Sequence, residues 1–289
     1  MPREKVCSFF ICVTLAFDAL GYAWQRTHMG ITHMRLLTLF SMLLVTHVSL
    51  AAPVEKPLSF KIDGTEFAGS LIFDDAKPAS RAMLLVPNWM GINEANLRQA
   101  REIAARGYTV YVVDMYGKDV RPTNMEEAGK AAGALKAATE AMRARINAAL
   151  VTLLGQTHTP VSIESTGAIG FCLGGTVVLE LARSGARLPA VVSFHGGLGT
   201  GAKASADALH SKVLVLHGAD DPYVPKAEVD AFEVEMREAK ADWQLVSFGG
   251  AVHSFTDVDA NMKGQAEYNE TVARRAFGMM DNFFAETLD

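Results

Sequence analysis

The sequence predicts an α/β fold in which a mostly parallel central sheet is covered by helices on both faces. Short runs rich in β-branched residues alternate with longer segments of helical periodicity, and this alternation is typical of parallel sheets. The central runs, such as residues 82–86 and 213–216, are apolar at nearly every position. Strands that are buried on both faces have this composition.

Strands and helices are predicted in the following order along the chain. Strands are expected at residues 58–62, 66–73, 82–86, 109–113, 167–170, 190–193, 213–216 and 243–248. Asp63 and Gly64 form the turn between the first two strands, because both residue types favour turns. Helices are expected at residues 94–106, 125–154, 173–184, 226–238 and 265–288. The segment 115–131 follows the carboxyl end of a strand, where such sheets bind ligands, and is expected to be a lid or an ordinary surface connection.

The first 51 residues are expected to be a leader rather than part of the fold. A basic start at Met34-Arg35, an apolar run at 36–45 and small residues up to Ala51 form the pattern of a secretory signal peptide. We expect translation to begin at Met34, cleavage after Ala51 and a catalytic domain at 52–289 that is periplasmic or secreted. The alternative is an uncleaved membrane anchor, although the apolar runs fall short of the roughly 18 residues of a spanning helix.

Charge and cysteine content narrow the classes of partner. Removing residues 1–51 leaves 23 basic and 30 acidic residues, a net charge of −7. Nucleic acid is therefore an unfavourable partner, and no stable membrane partner is expected after cleavage of the leader. We expect a monomer or a small homo-oligomer.

Removal of residues 1–51 also leaves Cys172 as the sole cysteine. A single cysteine excludes an intramolecular disulfide and favours a chemical role for the thiol.

A cysteine occupies a tight strand-to-helix turn. Residues 170–174 read G-x-C-x-G, the pattern of a nucleophile elbow with sulfur in place of the usual hydroxyl. The N-terminus of the helix favours a thiolate at Cys172. The backbone N–H of Leu173 would face an oxyanion formed by nucleophilic attack, and a second donor is expected from Trp89. Taken alone, the motif is also compatible with a buried packing cysteine.

Two downstream motifs supply an acid and a base. Asp221 follows the strand at 213–216, and His253 follows the strand at 243–248 after two glycines. We expect Asp221 to orient His253, the candidate general base, whereas Asp220 is expected to cap a helix or form an Asx turn. The chain order of nucleophile, acid and histidine is that of α/β-hydrolases.

Two other histidines, His195 and His217, lie at predicted strand ends. Each directly precedes a glycine. A structural hydrogen-bonding role is expected for both.

With these motifs in place, the chain after residue 51 resembles the dienelactone hydrolase family over nearly its whole length. The resemblance is carried by Gly170-Phe-Cys-Leu-Gly-Gly, His217-Gly-Ala-Asp-Asp-Pro-Tyr-Val-Pro, His253-Ser-Phe and Asp114-Met-Tyr-Gly. It implies an α/β-hydrolase fold and hydrolysis of a small carboxylic ester or lactone, with no metal or organic cofactor. It also implies a catalytic triad of Cys172, His253 and Asp221 and an oxyanion hole at Trp89 and Leu173.

Two positions depart from the pattern of the family that the chain resembles. A family glutamate that helps to generate the thiolate is replaced by Asn88, which cannot act as a base and is a candidate substrate-binding residue. A family arginine that grips the substrate carboxylate is replaced by Asp257, so a carboxylate-bearing dienelactone is disfavoured. The alternatives are a non-catalytic, ligand-binding descendant of the fold and redox chemistry at an exposed thiol.

Overall fold

In the computed structural model, which describes residues 53–77, 79–205 and 207–288, eight strands form one central sheet. The expected leader and its cleavage position lie outside these residues. The strands, in chain order, are β1 (Val54–Ile62), β2 (Thr65–Phe73), β3 (Arg81–Val86), β4 (Tyr108–Val112), β5 (Thr166–Phe171), β6 (Ala190–Phe194), β7 (Lys212–Gly218) and β8 (Trp243–Phe248).

The order of the strands across the sheet is β1-β2-β4-β3-β5-β6-β7-β8. Strands β3 to β8 pair in parallel, whereas β1 and β2 form an antiparallel hairpin that joins the sheet through an antiparallel pairing of β2 with β4. The hairpin turn contains Asp63 and Gly64, whose φ angles of 48° and 81° are left-handed. The predicted mostly parallel sheet is therefore confirmed, with an antiparallel hairpin at one edge.

Helices cover both faces of the sheet, as the sequence predicts. They are α1 (Glu94–Ala104), α2 (Met125–Lys136), α3 (Thr139–Gly155), α4 (Leu173–Arg183), α5 (Lys226–Glu238) and α6 (Glu270–Thr287). Helices α2 to α5 contribute buried side chains to one core cluster, and α1 and α6 contribute to the other. Along β3, Ala82, Leu84 and Val86 belong to the first cluster, and Met83 and Leu85 belong to the second. The strand is thus buried on both faces, which explains its continuous apolar sequence.

The helix expected at residues 125–154 is instead two helices, so that prediction is wrong. Helix α2 ends at Lys136 and α3 begins at Thr139, and Ala138 between them has φ −122° and ψ 64°. The alanine-rich sequence around the break contains no proline and gives no local signal for it. Helix α3 packs against β1, β3 and α4, and this tertiary packing overrides the local helix preference.

The helix expected at residues 265–288 begins five residues late. Residues Ala266–Glu267 form a short strand, β10, that pairs with β9 (Asn261–Met262). Asn269 then caps α6 by accepting the N–H of Val272 at 3.1 Å. A polar residue that binds the free N–H groups of the first turn is a strong start signal for a helix, and the sequence prediction overlooked it.

The segment between β4 and α2 is tied to the sheet. The carboxylate of Asp114 accepts the N–H of Ala68 at 3.0 Å and pairs with Arg121 at 3.0 Å. Arg121 also donates to the carbonyl of Gly117 at 2.6 Å. These bonds hold the segment against β2 and favour the surface connection over the lid.

The turn from β5 into α4 has no space for a side chain at either of its two flanking glycines. A Cβ on Gly170 would overlap the carbonyl oxygen of Gly174, and a Cβ on Gly174 would overlap the carbonyl oxygen of Val86. Cys172, between these glycines, has φ 54° and ψ −115°. Non-glycine residues adopt such a conformation only where the surroundings impose it. The turn therefore fixes the position of the sulfur relative to the sheet.

We predict that Gly174→Ala destabilises the protein by at least about 1–3 kcal/mol, because the new methyl group overpacks a site bounded by backbone. Gly278→Ala is the matched control, since an added Cβ in α6 meets no atom within 4 Å. A helical Gly→Ala change at an open site should instead stabilise by about 0.5–1 kcal/mol. Denaturant unfolding measures both, and equal midpoints for the two variants would contradict the packing described.

Candidate active site

Three loops at the carboxyl ends of β5, β7 and β8 bring together the three residues expected to carry the chemistry. Cys172 directly follows β5, Asp221 follows β7, and His253 follows β8. The Nδ1 atom of His253 lies 2.7 Å from Oδ2 of Asp221, and the sulfur of Cys172 is close enough to the imidazole to raise its pKa. Because Nδ1 is taken by the carboxylate, Nε2 is the nitrogen that faces the sulfur.

The two neighbouring aspartates have separate partners. The side chain of Asp221 is fully buried, and its second oxygen, Oδ1, accepts the N–H of Tyr223 at 2.8 Å. Asp221 therefore forms an Asx turn and holds the histidine at the same time. Asp220 is exposed, and it accepts the N–H of Gly250 at 3.0 Å instead of capping a helix. That bond joins the loop of the acid to the loop of the histidine.

The backbone of His253 is held by the β9–β10 hairpin. Its N–H donates to the carbonyl of Gln265 at 3.1 Å, and its carbonyl accepts the N–H of Glu267 at 3.0 Å. The ring of Tyr223 packs edge-on against the imidazole, with the ring centroids 5.2 Å apart. The histidine is thus positioned through both its backbone and its ring.

Two backbone N–H groups lie close enough to the thiol of Cys172 to lower its pKa. They belong to Leu173 and Trp89, the residues expected to form the oxyanion hole. Tyr116 fixes the loop that carries Trp89, because its hydroxyl donates to the carbonyl of Trp89 at 2.8 Å. Cys172 as a whole residue is half-buried.

The electrostatics of the site favour a thiolate beside an imidazolium. Burial raises the pKa of Cys172, but hydrogen bonds from His253 and the two backbone N–H groups outweigh burial and bring the pKa below its usual value. Burial lowers the pKa of His253, yet the hydrogen bonds to Asp221 and Cys172 raise it to about 9. Between these two pKa values both groups are charged and attract each other.

Asn88, the candidate substrate-binding residue, lies in the loop after β3. Its Oδ1 accepts the N–H of Met90 at 3.1 Å and the side-chain amide of Asn96 at 3.0 Å. Asn96 is buried and also donates to the carbonyl of Gly91 at 2.7 Å. The oxygen of Asn88 therefore stabilises the loop that carries Trp89, and binding of substrate by this residue stays a prediction.

His195 contacts the candidate nucleophile, which the sequence did not reveal. Its Nδ1 accepts the backbone N–H of Cys172 at 3.1 Å, and its Nε2 lies 2.8 Å from the hydroxyl of Thr256. The sequence predicted a structural hydrogen-bonding role for His195 but did not identify Cys172 as the partner. The position of His195 was the one signal that could have indicated this contact. His195 follows β6, which pairs with β5, so it lies beside the residue that follows β5.

A cavity of about 290 Å³ opens beside these residues. Tyr223, Met142 and Thr176 are among its lining side chains, and Glu228 lies in its wall. Thr176 lies one turn along α4 from Cys172, and Tyr223 contacts the ring of His253. The cavity thus lies near the triad, on the side of Thr176 and Tyr223, and offers space for a small molecule.

Within the part of the chain that the structure describes, no helix combines the length and the apolar character needed to cross a bilayer. Among these same described residues, the side chains of His, Cys, Asp and Glu do not gather in a group of three that could hold a metal ion.

Comparisons with known proteins agree on one family. A model of the dienelactone hydrolase family matches residues 68–288. The crystal structure of a dienelactone hydrolase-like promiscuous phosphotriesterase from metagenomic libraries is 34% identical with a TM-score of 0.77, and the match covers 82% of this chain and 100% of that one. A probable 2-oxo-3-(5-oxofuran-2-ylidene)propanoate lactonase of Bradyrhizobium is 24% identical over 66% of this chain and 81% of the lactonase. The human carboxymethylenebutenolidase homolog is 27% identical over 61% of this chain and 71% of the homolog.

We predict that His253 titrates in the wild type with a midpoint near pH 9, the value to which its pKa is raised. Cys172→Ala should lower that midpoint, because the thiolate charge that favours the imidazolium is gone. Cys172→Ser, which keeps a hydrogen-bonding atom without the charge, should fall between the two. NMR of the imidazole resonances measures all three.

The sign of the effect on stability follows from the direction of the shift. A raised pKa means that the native state binds the proton more tightly than the unfolded chain does. The stabilisation from His253 is therefore complete below the ordinary histidine pKa of 6.5 and is lost as the pH rises to the raised pKa of about 9. A midpoint that is the same in wild type and Cys172→Ala would contradict the thiolate–imidazolium pair.

Proposed function

The chain belongs to the dienelactone hydrolase family, and we propose that it hydrolyses a small carboxylic ester or lactone through a triad of Cys172, His253 and Asp221. The observation that carries this proposal is the continuous chain of contacts from Asp221 through His253 to the sulfur. The lowered pKa of Cys172 and the raised pKa of His253 support a nucleophile that ionises more readily than an ordinary thiol.

In the first half of the reaction, the thiolate of Cys172 attacks the carbonyl carbon and forms a tetrahedral oxyanion. The backbone N–H groups of Leu173 and Trp89, which lower the pKa of Cys172 in the resting site, would donate to that oxyanion. Collapse breaks the bond to the ester oxygen, which takes the proton from Nε2 of His253. The products are a thioester and an alcohol, and from a lactone the alcohol stays attached to the acyl group.

In the second half, water attacks the thioester while the now neutral His253 accepts its proton. Collapse of this second tetrahedral species expels the sulfur as a thiolate and releases the carboxylic acid. The imidazolium and thiolate are thereby restored, so the net reaction consumes one ester bond and one water. Asp221 keeps the proton on Nδ1 and stabilises the charged ring during both halves.

The charges around the site favour a substrate without a carboxylate. Asp257 stands where the family pattern has a cationic residue, whereas the wall of the neighbouring cavity carries both Glu228 and Lys136. The cavity volume of about 290 Å³ is at the lower end of the range for ligand pockets, about 300–1,000 Å³. We therefore propose a small, uncharged ester or lactone as the substrate class.

Turnover of a panel of neutral lactones, short acyl esters and one phosphotriester tests the proposed function. The phosphotriester is included because a relative that is 34% identical is described as a promiscuous phosphotriesterase. We expect hydrolysis of at least one neutral ester or lactone, and its loss in Cys172→Ala. A folded wild type that turns over no compound in the panel would favour the non-catalytic, ligand-binding alternative.

The same assay separates the two aspartates. Asp221→Asn should lower kcat by orders of magnitude, roughly 10⁴-fold in the best-studied serine triad, because the histidine loses the partner that fixes its proton. Asp220→Asn is the matched control, since Asp220 bonds only backbone at Gly250 among the described residues. We expect it to change kcat by less than about tenfold, which is the effect of one exposed hydrogen bond. Equal losses in the two variants would show that Asp221 is not the orienting carboxylate.

We further propose that the domain acts in the periplasm or outside the cell after cleavage behind Ala51. The proposal rests on the signal-peptide pattern of residues 34–51. In a secreting host, the intact mass of the exported protein should correspond to a chain that begins at Ala52. A soluble product that retains the residues from Met34 onward would contradict it.

A further inference from the structure

We propose that His195 is a positioning residue for the nucleophile: through the bond between its Nδ1 and the backbone N–H of Cys172, it holds the strained turn that aims the sulfur at His253. The inference rests on the proposed function and extends it to a second histidine. His195 is buried at the end of β6 and does not line the cavity beside Tyr223; the other cavity that it borders, with Asn88, has a volume of only about 30 Å³. It would therefore act on the reaction through Cys172 rather than through the substrate.

The backbone of Cys172 needs an external constraint. Its φ of 54° and ψ of −115° lie outside the regions that non-glycine residues favour, and no side chain caps the helix that starts there. The N–H of Cys172 is shared between two acceptors, the carbonyl of Phe194 and Nδ1 of His195, each at 3.1 Å. A strained conformation persists only when its surroundings over-determine it, and these two bonds supply that constraint.

His195 is itself held in an unusual conformation. Its φ is 40°, in the left-handed region that β-strand residues avoid. Its backbone N–H donates to the carbonyl of Leu216 on β7 at 2.8 Å. Two left-handed residues at the ends of neighbouring strands are thus joined by one hydrogen bond, from the backbone of Cys172 to the ring of His195.

The bond to the N–H of Cys172 fixes the tautomer of His195, and Thr256 accepts the remaining ring proton. Because Nδ1 accepts the N–H of Cys172, the proton of the neutral ring resides on Nε2 and donates to the hydroxyl of Thr256 at 2.8 Å. Both ring nitrogens are then satisfied in a buried position. Protonation of the ring would place a second N–H against that of Cys172 and break the contact.

The surroundings keep this second histidine neutral. Burial, and then the charge of His253 at a ring-centroid distance of 5.2 Å, hold the pKa of His195 well below its usual value. Arg98 and Glu102 on α1 and Asp257 after β8 line the small cavity that His195 also borders. The two histidines therefore have different roles. His253 exchanges a proton during the reaction, and His195 stays uncharged and accepts the N–H of Cys172.

Replacing the ring tests the proposal. His195→Leu should lower kcat about tenfold, the effect of losing one net hydrogen bond, and should leave KM within about twofold, because no ground-state contact to the substrate is lost. His195→Asn can offer an amide oxygen to the same N–H and should recover most of the loss. His217→Asn is the matched control, since His217 is a buried histidine at the end of the next strand with no contact to Cys172 among the described hydrogen bonds.

A second readout needs no substrate. The rate at which iodoacetamide alkylates Cys172 across pH reports the thiolate fraction, and its midpoint should move to higher pH in His195→Leu but not in His217→Asn. If no ester is turned over by the wild type, the proposed function fails while these profiles still decide the role of His195. Unchanged kcat and an unchanged alkylation midpoint in His195→Leu, or equal changes in His217→Asn, would overturn the proposal.

Substitutions of Thr256 provide a second test of the proposal if the His195 variants do not fold. Thr256→Val preserves the shape of a buried side chain and removes the acceptor for Nε2, so kcat should fall about threefold with the alkylation midpoint shifted in the same direction. Thr256→Ser retains the hydroxyl and should behave as the wild type does. A Val variant that matches the Ser variant in both measurements would show that the orientation of His195 does not matter.

Discussion

The close approach of backbone to backbone where β5 turns into α4 is the constraint on which the site depends. Neither Gly170 nor Gly174 has room for a Cβ. Between them, Cys172 adopts a backbone conformation with positive φ that non-glycine residues disfavour. The strain is offset by the sheet on either side and by the packing of α4. A rigid scaffold of this kind permits a reactive group to be held in one orientation at small reorganisation cost.

Around that turn, hydrogen bonding and burial act in opposite directions on the same groups. Burial disfavours charge on both the sulfur of Cys172 and the ring of His253, whereas their mutual hydrogen bond and the carboxylate of Asp221 favour it. The second effect prevails because each charged atom has a dedicated partner. Burial thus strengthens the electrostatic interactions of Cys172 and His253, and both groups can still be charged.

The strands and the nucleophile turn could be predicted because their signals are local: continuous apolar runs and a glycine pattern around Cys172. The break in the helix near Ala138 could not, since packing against β1 and α4 causes it. The link between His195 and Cys172 was equally hidden, because it depends on which strands are neighbours in the sheet. For Asp221 and Asp220, adjacent carboxylates in one turn, the sequence identified the residue that contacts His253 by its motif alone.

The hairpin that holds His253 has a consequence for how heat would inactivate the protein. Gln265 and Glu267 form hydrogen bonds with the backbone of His253. The chain then continues through the cap residue Asn269 into α6, which begins at Glu270. Local opening of the hairpin would release the backbone of His253 while the parallel strands remain paired, since local openings require less free energy than global unfolding. Thermal inactivation should therefore precede the loss of β-sheet structure, because activity depends on a two-stranded hairpin that is remote in sequence from Cys172.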